Sequence, residues 1–170
     1  MMRKFVPDYV FDSIYEITPL FLREHRIRGV LIDLDGTLAS RKAPLPPEGL
    51  SDFLRELQES GLKIMIFSNN REKRVERFCQ TLHIPFISRA RKPFSRGFYL
   101  AMKKLNLSAQ TLAIIGDQIF TDVLGGNRVG ALTCYVRPVD WHDFLIRARY
   151  HVERVFVKCG EKSKRKRGSR

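Results

Sequence analysis

The strongest constraint on this chain is a unit that recurs along it: a short apolar run, a polar residue at its end, then a segment with helical spacing. The runs are GVLIDLD (29–35), LKIMIFS (62–68), IPFIS (84–88), TLAIIGD (111–117) and ALTCYV (131–136). They are too short for helices and apolar at successive positions, as strands covered on both faces are. Between them, EGLSDFLRELQESG (48–61) spaces Leu50, Phe53, Leu54 and Leu57 along one helical stripe, and Gly61 suits the left-handed residue that ends a helix. REKRVERFCQTL (71–82) and SRGFYLAMKKLNL (95–107) read as helices, the second with Ser95 at its N-cap. IFTDVLGGNRVG (119–130) holds a short helix, and another is expected from about 140 to 157. Strand and helix alternating in this way predict an α/β fold, a Rossmann-like parallel sheet with helices on both faces.

In such sheets ligands bind beyond the carboxyl ends of the strands, where the strand order reverses. Asp33, Asp35, Ser68, Asn69, Lys92 and Asp117 all fall at those ends. In DLDGT (33–37) the acids at i and i+2 project to one side of an extended segment. Two carboxylates there are unfavourable without a cation. Mg²⁺, which takes a few carboxylates together with phosphate oxygens and water, is the fitting one. SNN (68–70) offers a hydroxyl and main-chain N–H groups to phosphoryl oxygens. Lys92, in RARKPF, offers a charge to neutralise them. In GDQIFTD (116–122), Asp117 completes a metal site, while Asp122 either ligates through water or anchors Lys92. Taken singly, these elements read as turns, helix caps and one lysine among many. Their succession, each at a strand end, points to phosphoryl transfer.

DLDGT, Ser68, Lys92 and GDQIFTD resemble, in order and context, the four motifs of the haloacid dehalogenase superfamily over about residues 28–137. The stretches ITPLFLREHRIRGVLIDLDGTL, IFSNNREKRVERF, IPFISRARKP and IIGDQIFTDVLGGNRVG are similar to the YqeG family of small bacterial phosphatases, of subfamily IIIA. That family is related to the phosphatidylglycerophosphate phosphatases of mitochondria and photosynthetic organisms, and the similarity runs from about Asp8 to Glu153. Many members carry DLDNTL where this chain has Gly36. The resemblance implies that Asp33 is the nucleophile and that Asp35 protonates the leaving oxygen, then activates water. It implies that Mg²⁺ is held by Asp33, the Asp35 carbonyl and Asp117. It also implies phosphoryl contacts from Thr37, Ser68, Asn69 and Lys92, with Asp122 in support.

Neither the Asp33–Ser68 nor the Ser68–Lys92 interval has room for a folded insertion, so no cap domain is expected. The site should be open, which suits a phosphate on a large or surface-bound substrate. The net charge of +13 argues for polyanionic surroundings. The leading reading is hydrolysis of a lipid phosphate, phosphatidylglycerophosphate, at an anionic membrane surface. A second keeps the phosphatase but gives it a soluble phosphate, a nucleic-acid end or a phosphoprotein. A third, a basic RNA- or ribosome-binding protein, accounts for the charge but not for the motifs, and no aromatic RNA-binding motif is present.

Three parts are expected: an N-terminal amphipathic segment (1–27) packed on or beside the core, the phosphatase domain (28–157) and a basic tail (158–170) without regular structure. Within the first part, Val10, Phe11, Ile14 and Ile17 lie near helical spacing and are a candidate apolar contact with a membrane. The tail, with six basic residues and one acid over 161–170, is a candidate for attraction to an anionic leaflet. No apolar run reaches the ~18 residues of a membrane span. A cytoplasmic location, with peripheral attachment to the inner face of the plasma membrane, is therefore expected. Cys79, Cys134 and Cys159 are widely spaced and odd in number, which fits a reducing compartment.

Overall fold

Five of the six strands are those apolar runs, and the sixth comes from the N-terminal segment. The computed structural model describes residues 2–140 and 144–167. The strands are β1 (Tyr9–Phe11), β2 (Gly29–Ile32), β3 (Lys63–Phe67), β4 (Phe86–Ile87), β5 (Leu112–Gly116) and β6 (Leu132–Val136). All pair in parallel, in the order β1-β6-β5-β2-β3-β4. From β2 the chain steps outward through β3 to β4, then returns to lay β5 along the other edge of β2. The strand order therefore reverses at β2 and β5, and a crevice opens beyond their carboxyl ends.

Alternate side chains of each strand enter different cores. Val30 and Ile32 of β2 join Ile64 and Ile66 of β3, Ala113 and Ile115 of β5, and Cys134 and Val136 of β6 on one face. That face is covered by α1 (Pro19–Glu24), α2 (Leu50–Glu59) and α3 (Glu72–Cys79), which contribute Leu22, the α2 stripe of Leu50, Phe53, Leu54 and Leu57, and Val75 with Phe78. Leu31, Met65, Phe67, Leu112 and Ile114 point the other way, onto Phe98, Ala101, Met102 and Leu105 of α4 (Ser95–Leu105). α5 (Leu124–Val129) lies beside α4. A Cβ on its Gly125 would come within 2.4 Å of the Phe98 ring, so close packing of the two helices excludes a side chain there. A smaller cluster of Val10, Ile119, Val123 and Tyr135 is completed by Val157 of α6 (Phe144–Arg167). Between Asp33 and Lys92 the regular elements are α2, β3, α3 and β4, with no inserted cap. Among the described residues, no helix is long and apolar enough to cross a membrane.

Two expectations are corrected. Within the N-terminal segment, residues 5–24 pack on the core, but Val10 and Phe11, expected near helical spacing, lie in β1, an edge strand, which is followed by the short α1. Asp8 docks it, with Oδ2 accepting from the Thr133 main-chain N–H (3.1 Å) and hydroxyl (3.1 Å). Val10, Phe11, Ile14 and Ile17 are buried in the molecule's own core, so they offer nothing to a membrane. The tail is not without structure either, because α6 runs on to Arg167. Lysine and arginine are good helix formers, and extending a helix needs no new nucleus. Residues 168–170 lie outside the described residues.

Ile17 is fully buried. Ile17→Ala should therefore destabilise the fold by about 2–5 kcal/mol, read as a lower urea midpoint at unchanged slope. A change within about 0.5 kcal/mol, as for surface substitutions, would contradict the inward packing of this segment.

Candidate active site

The site is built where the strands end. β2 stops at Ile32, and the Asp33 main-chain N–H still donates to Ile115 O (2.9 Å), which ties the residue to β5. The chain then turns at Gly36, whose φ of +97° lies in the left-handed region. A Cβ at Gly36 would sit 2.5 Å from Asp117 Oδ2, so a side chain there would require that carboxylate to shift. The Gly36 N–H donates to Ala39 O (2.8 Å) and Gly36 O accepts from the Val139 N–H (2.9 Å), which pins the loop to the segment after β6. Ser68 follows β3, and its main-chain N–H donates to Ile87 O (3.0 Å) of β4. Asn69 braces the next strand end: its Oδ1 accepts from Lys92 N–H (2.7 Å) and its Nδ2 donates to Lys92 O (3.0 Å). The Asn69 side chain is thus committed to the Lys92 main chain.

Four of the expected residues converge in one buried cluster. Carboxylate oxygens of Asp33, Asp117 and Asp122 all lie within 4.8 Å of one another. The Lys92 ammonium sits among them, donating to Asp33 Oδ1 (2.5 Å) and to Asp122 Oδ1 (2.6 Å). Asp122 Oδ2 accepts from the Thr121 hydroxyl (3.3 Å), so of its two expected roles the geometry favours anchoring Lys92. The Asp35 carboxylate has other partners, accepting from Asn70 Nδ2 (2.9 Å) and Arg74 (3.0 Å). Ser68 is buried, with its hydroxyl accepting from the Asn70 main-chain N–H (3.2 Å). Thr37 is fully buried, and its hydroxyl has no partner among the described residues.

Sequence reasoning passed over Arg74, Arg149 and Glu153, and took Asn70 only for its main chain. Arg149, on α6, donates to Asp117 Oδ2 (2.6 Å) and to Asp117 O (3.2 Å). Glu153, fully buried one turn further on, lies 3.5 Å from the Arg149 Nε and accepts from the Ile119 main-chain N–H (3.1 Å). The Arg149–Glu153 spacing of four was a readable signal for a helical ion pair, but not for its burial against Asp117.

Burial sets the electrostatics. It pushes the Asp33 carboxyl up to about 6, against the pull of Lys92 and with the help of Asp122 and Asp35. It pushes Asp117 up to about 6 as well, with Asp33 adding to the rise and Arg149 opposing it. Asp122 is raised chiefly by burial. Burial disfavours the Lys92 ammonium, but the two carboxylates beside it outweigh this and raise its pKa, so it stays charged. Among the described residues, the buried oxygens Asp33 Oδ2 and Asp117 Oδ1 have no hydrogen-bond partner. Hard oxygens on neighbouring carboxylates, uncompensated and out of water, are the donor set that a small divalent cation such as Mg²⁺ fits.

A family model described as haloacid dehalogenase-like hydrolase matches residues 41–130, a span that holds Ser68, Lys92, Asp117 and Asp122 and begins after Asp33 and Asp35. The chain is 42% identical over 156 residues to "Probable phosphatase YqeG" of Bacillus subtilis (strain 168), covering 91% of each protein. Its fold is similar to that of 3-deoxy-D-manno-octulosonate 8-phosphate phosphatase from Yersinia pestis, with a TM-score of 0.53 at 18% identity over 82% of this chain and 88% of that one. It is also similar to the cobalt-bound deoxy-D-mannose-octulosonate 8-phosphate phosphatase of Haemophilus influenzae, with a TM-score of 0.51 at 19% identity over 66% and 69%.

The raised acids make a pH-dependent prediction. Their folded pKa of about 6 lies above the ordinary 3.8, so the metal-free fold holds protons that the unfolded chain releases. Their contribution to stability therefore falls as pH rises through this window, and a bound cation recovers it above the window. The gain in Tm from about 10 mM Mg²⁺ should be larger at about pH 7.5 than at about pH 5. Equal gains at both, measured by thermal melts against a chelator control, would place the ion elsewhere.

Proposed function

This chain belongs to the haloacid dehalogenase-like hydrolase family and is a phosphatase, and we propose that it hydrolyses a lipid phosphate monoester, phosphatidylglycerophosphate, through a covalent intermediate on Asp33. The observation that carries the covalent mechanism is the buried Asp33–Lys92–Asp122 array at the carboxyl edge of the sheet. Lys92 neutralises phosphoryl oxygens and so lets a dianionic ester approach a carboxylate. Asp33 attacks phosphorus, and the bond to the leaving oxygen breaks as the bond to the carboxylate forms. Asp35, oriented by Asn70 and Arg74, gives the leaving oxygen its proton. As a carboxylate it then takes a proton from the water that attacks the aspartyl phosphate, which releases inorganic phosphate and regenerates Asp33. Thr37 and Ser68 bind phosphoryl oxygens beside Lys92, and Asn69 holds the Lys92 strand end in place. Asp33, Asp117 and the Asp35 carbonyl would hold Mg²⁺, which would supply charge neutralisation in the transition state.

Three features support a lipid over a small metabolite. No cap covers the site. The chain is strongly basic, at +13. A pocket of about 430 Å³ opens at the same edge of the sheet, with Thr37 in its wall and Ile14, Leu38, Ala43, Leu45 and Val139 making much of its lining apolar. Such a pocket suits a phosphate whose leaving group has an apolar part. The enzyme would act from the cytoplasm at the membrane surface.

Asp33→Asn should keep the fold and lose at least about a thousandfold in kcat, since an amide is a poor nucleophile; retention of a few per cent of activity would reject the covalent route. Asp117→Ala should raise the Mg²⁺ concentration needed for half-maximal rate by about tenfold or more. Across lipid phosphates in detergent, nucleotides, nucleic-acid ends, phosphopeptides and phosphosugars, the highest kcat/KM should fall on phosphatidylglycerophosphate. A higher value on any soluble phosphate would replace the substrate and leave the mechanism standing.

A further inference from the structure

Beside the catalytic edge, a groove of about 700 Å³ is walled by the segment after β4 and the first turns of α4. It combines two properties that rarely share a surface. Arg89, Arg91 and Arg96 line it, all exposed, and no acidic residue does. None of the three makes an ion pair among the described residues, whereas Arg55, Arg74, Arg137 and Arg149 all do. Between these charges stand Phe94, 67% exposed, and Leu100, 47% exposed, with Tyr99 (57%) next to the latter. Arg89 and Arg91 occupy left-handed backbone, at φ of 46° and 56°. Non-glycine residues hold that conformation at some energetic expense, so this is a specifically built turn and not a loose loop. Because every strand is parallel, this turn lies at the same edge of the sheet as Asp33, and Lys92 is threaded through it.

We propose that this groove is the face by which the enzyme docks on an anionic lipid bilayer, with Arg89, Arg91 and Arg96 meeting phosphodiester headgroups and Phe94 and Leu100 entering the interface. The proposal rests on the lipid-phosphate reading of the substrate. Charge complementarity selects the occupant: three unpaired guanidiniums attract anions, and exposed aromatic and aliphatic side chains between them favour an anion borne on an apolar layer. The geometry then does what an uncapped site requires. A bilayer touching the groove meets the edge of the sheet that carries the carboxylate cluster, and Lys92, braced by Asn69, belongs to the docking turn itself. Attraction by the arginines is screened by salt, and insertion of Phe94 and Leu100 is not.

The test is cosedimentation of the full chain with vesicles of phosphatidylcholine, alone or with about one-third phosphatidylglycerol, at low and at physiological salt. Asn tolerates left-handed backbone, so the charge variant is R89N/R91N/R96Q; the apolar variant is F94S/L100S. The wild-type chain should bind only the anionic vesicles. The charge variant should lose roughly fivefold per arginine at low salt, and the apolar variant should lose several-fold at both salts. Both variants should keep the wild-type melting temperature and rate on a small soluble phosphate ester. Wild-type vesicle binding by the charge variant, or weakened binding of single-stranded RNA in place of vesicles, would overturn the docking face. Hydrolysis of the lipid phosphate in detergent micelles reads the substrate independently: activity there with no vesicle binding rejects the docking face alone, and no activity there with groove-dependent vesicle binding rejects the substrate alone.

Discussion

Everything in this molecule is arranged around a charge problem. Three carboxylates, on Asp33, Asp117 and Asp122, are gathered within 4.8 Å and almost wholly removed from water. At that separation each pair of ionised groups repels by at least about 3 kcal/mol at an effective dielectric of ~20, before the larger penalty of burial. Lys92 answers two of them and Arg149 the third, but Arg149 also serves Glu153. Negative charge is left over, and among the described residues Asp33 Oδ2 and Asp117 Oδ1 have no hydrogen-bond donor to offset it. A site in that condition is suited to a divalent cation and to a phosphoryl group that brings its own countercharge requirements.

The fold makes this arrangement affordable in stability because the acids stand on rigid supports. Asp33 and Asp117 follow neighbouring central strands whose side chains fill two separate cores. Lys92 reaches in from the turn after β4, held there by Asn69, and Asp122 comes from the turn of π-helix, Ile119–Val123, that precedes α5. Gly116 belongs to the same solution: a Cβ there would lie 2.3 Å from Asp122 Cγ. Two glycines therefore clear the space that the carboxylates occupy, Gly36 for Asp117 and Gly116 for Asp122.

Much of this was legible in the chain because it is local. A buried strand shows as an apolar run, a helix as a stripe, and a strand-end acid as the first charge after the run; five strands and the Asp33 and Asp117 positions follow from those signals, whereas Lys92 and Asp122 stood out only through the order of the motifs and their resemblance to a family. What was not legible is long-range. β1 is three residues, too short to display a period, and its anchor is Thr133, 125 positions away. The apolar residues of 5–24 happened to fall near helical spacing, although they pack as a strand and a short helix. Arg149 and Asp117 meet across 32 positions. The side-chain amide of Asn69 is engaged by the Lys92 main chain, 23 positions away, a pairing that no local signal announces.

The account depends most on Asp33 carrying the phosphoryl group. The direct measurement is to quench the enzyme during turnover of a phosphate ester, reduce it with borohydride, which converts an acyl phosphate to an alcohol, and map the peptides by mass spectrometry. The account predicts homoserine at position 33 and aspartate at positions 35, 117 and 122. Reduction at any of those three, or a phosphate found on Ser68 with position 33 unchanged, would contradict it.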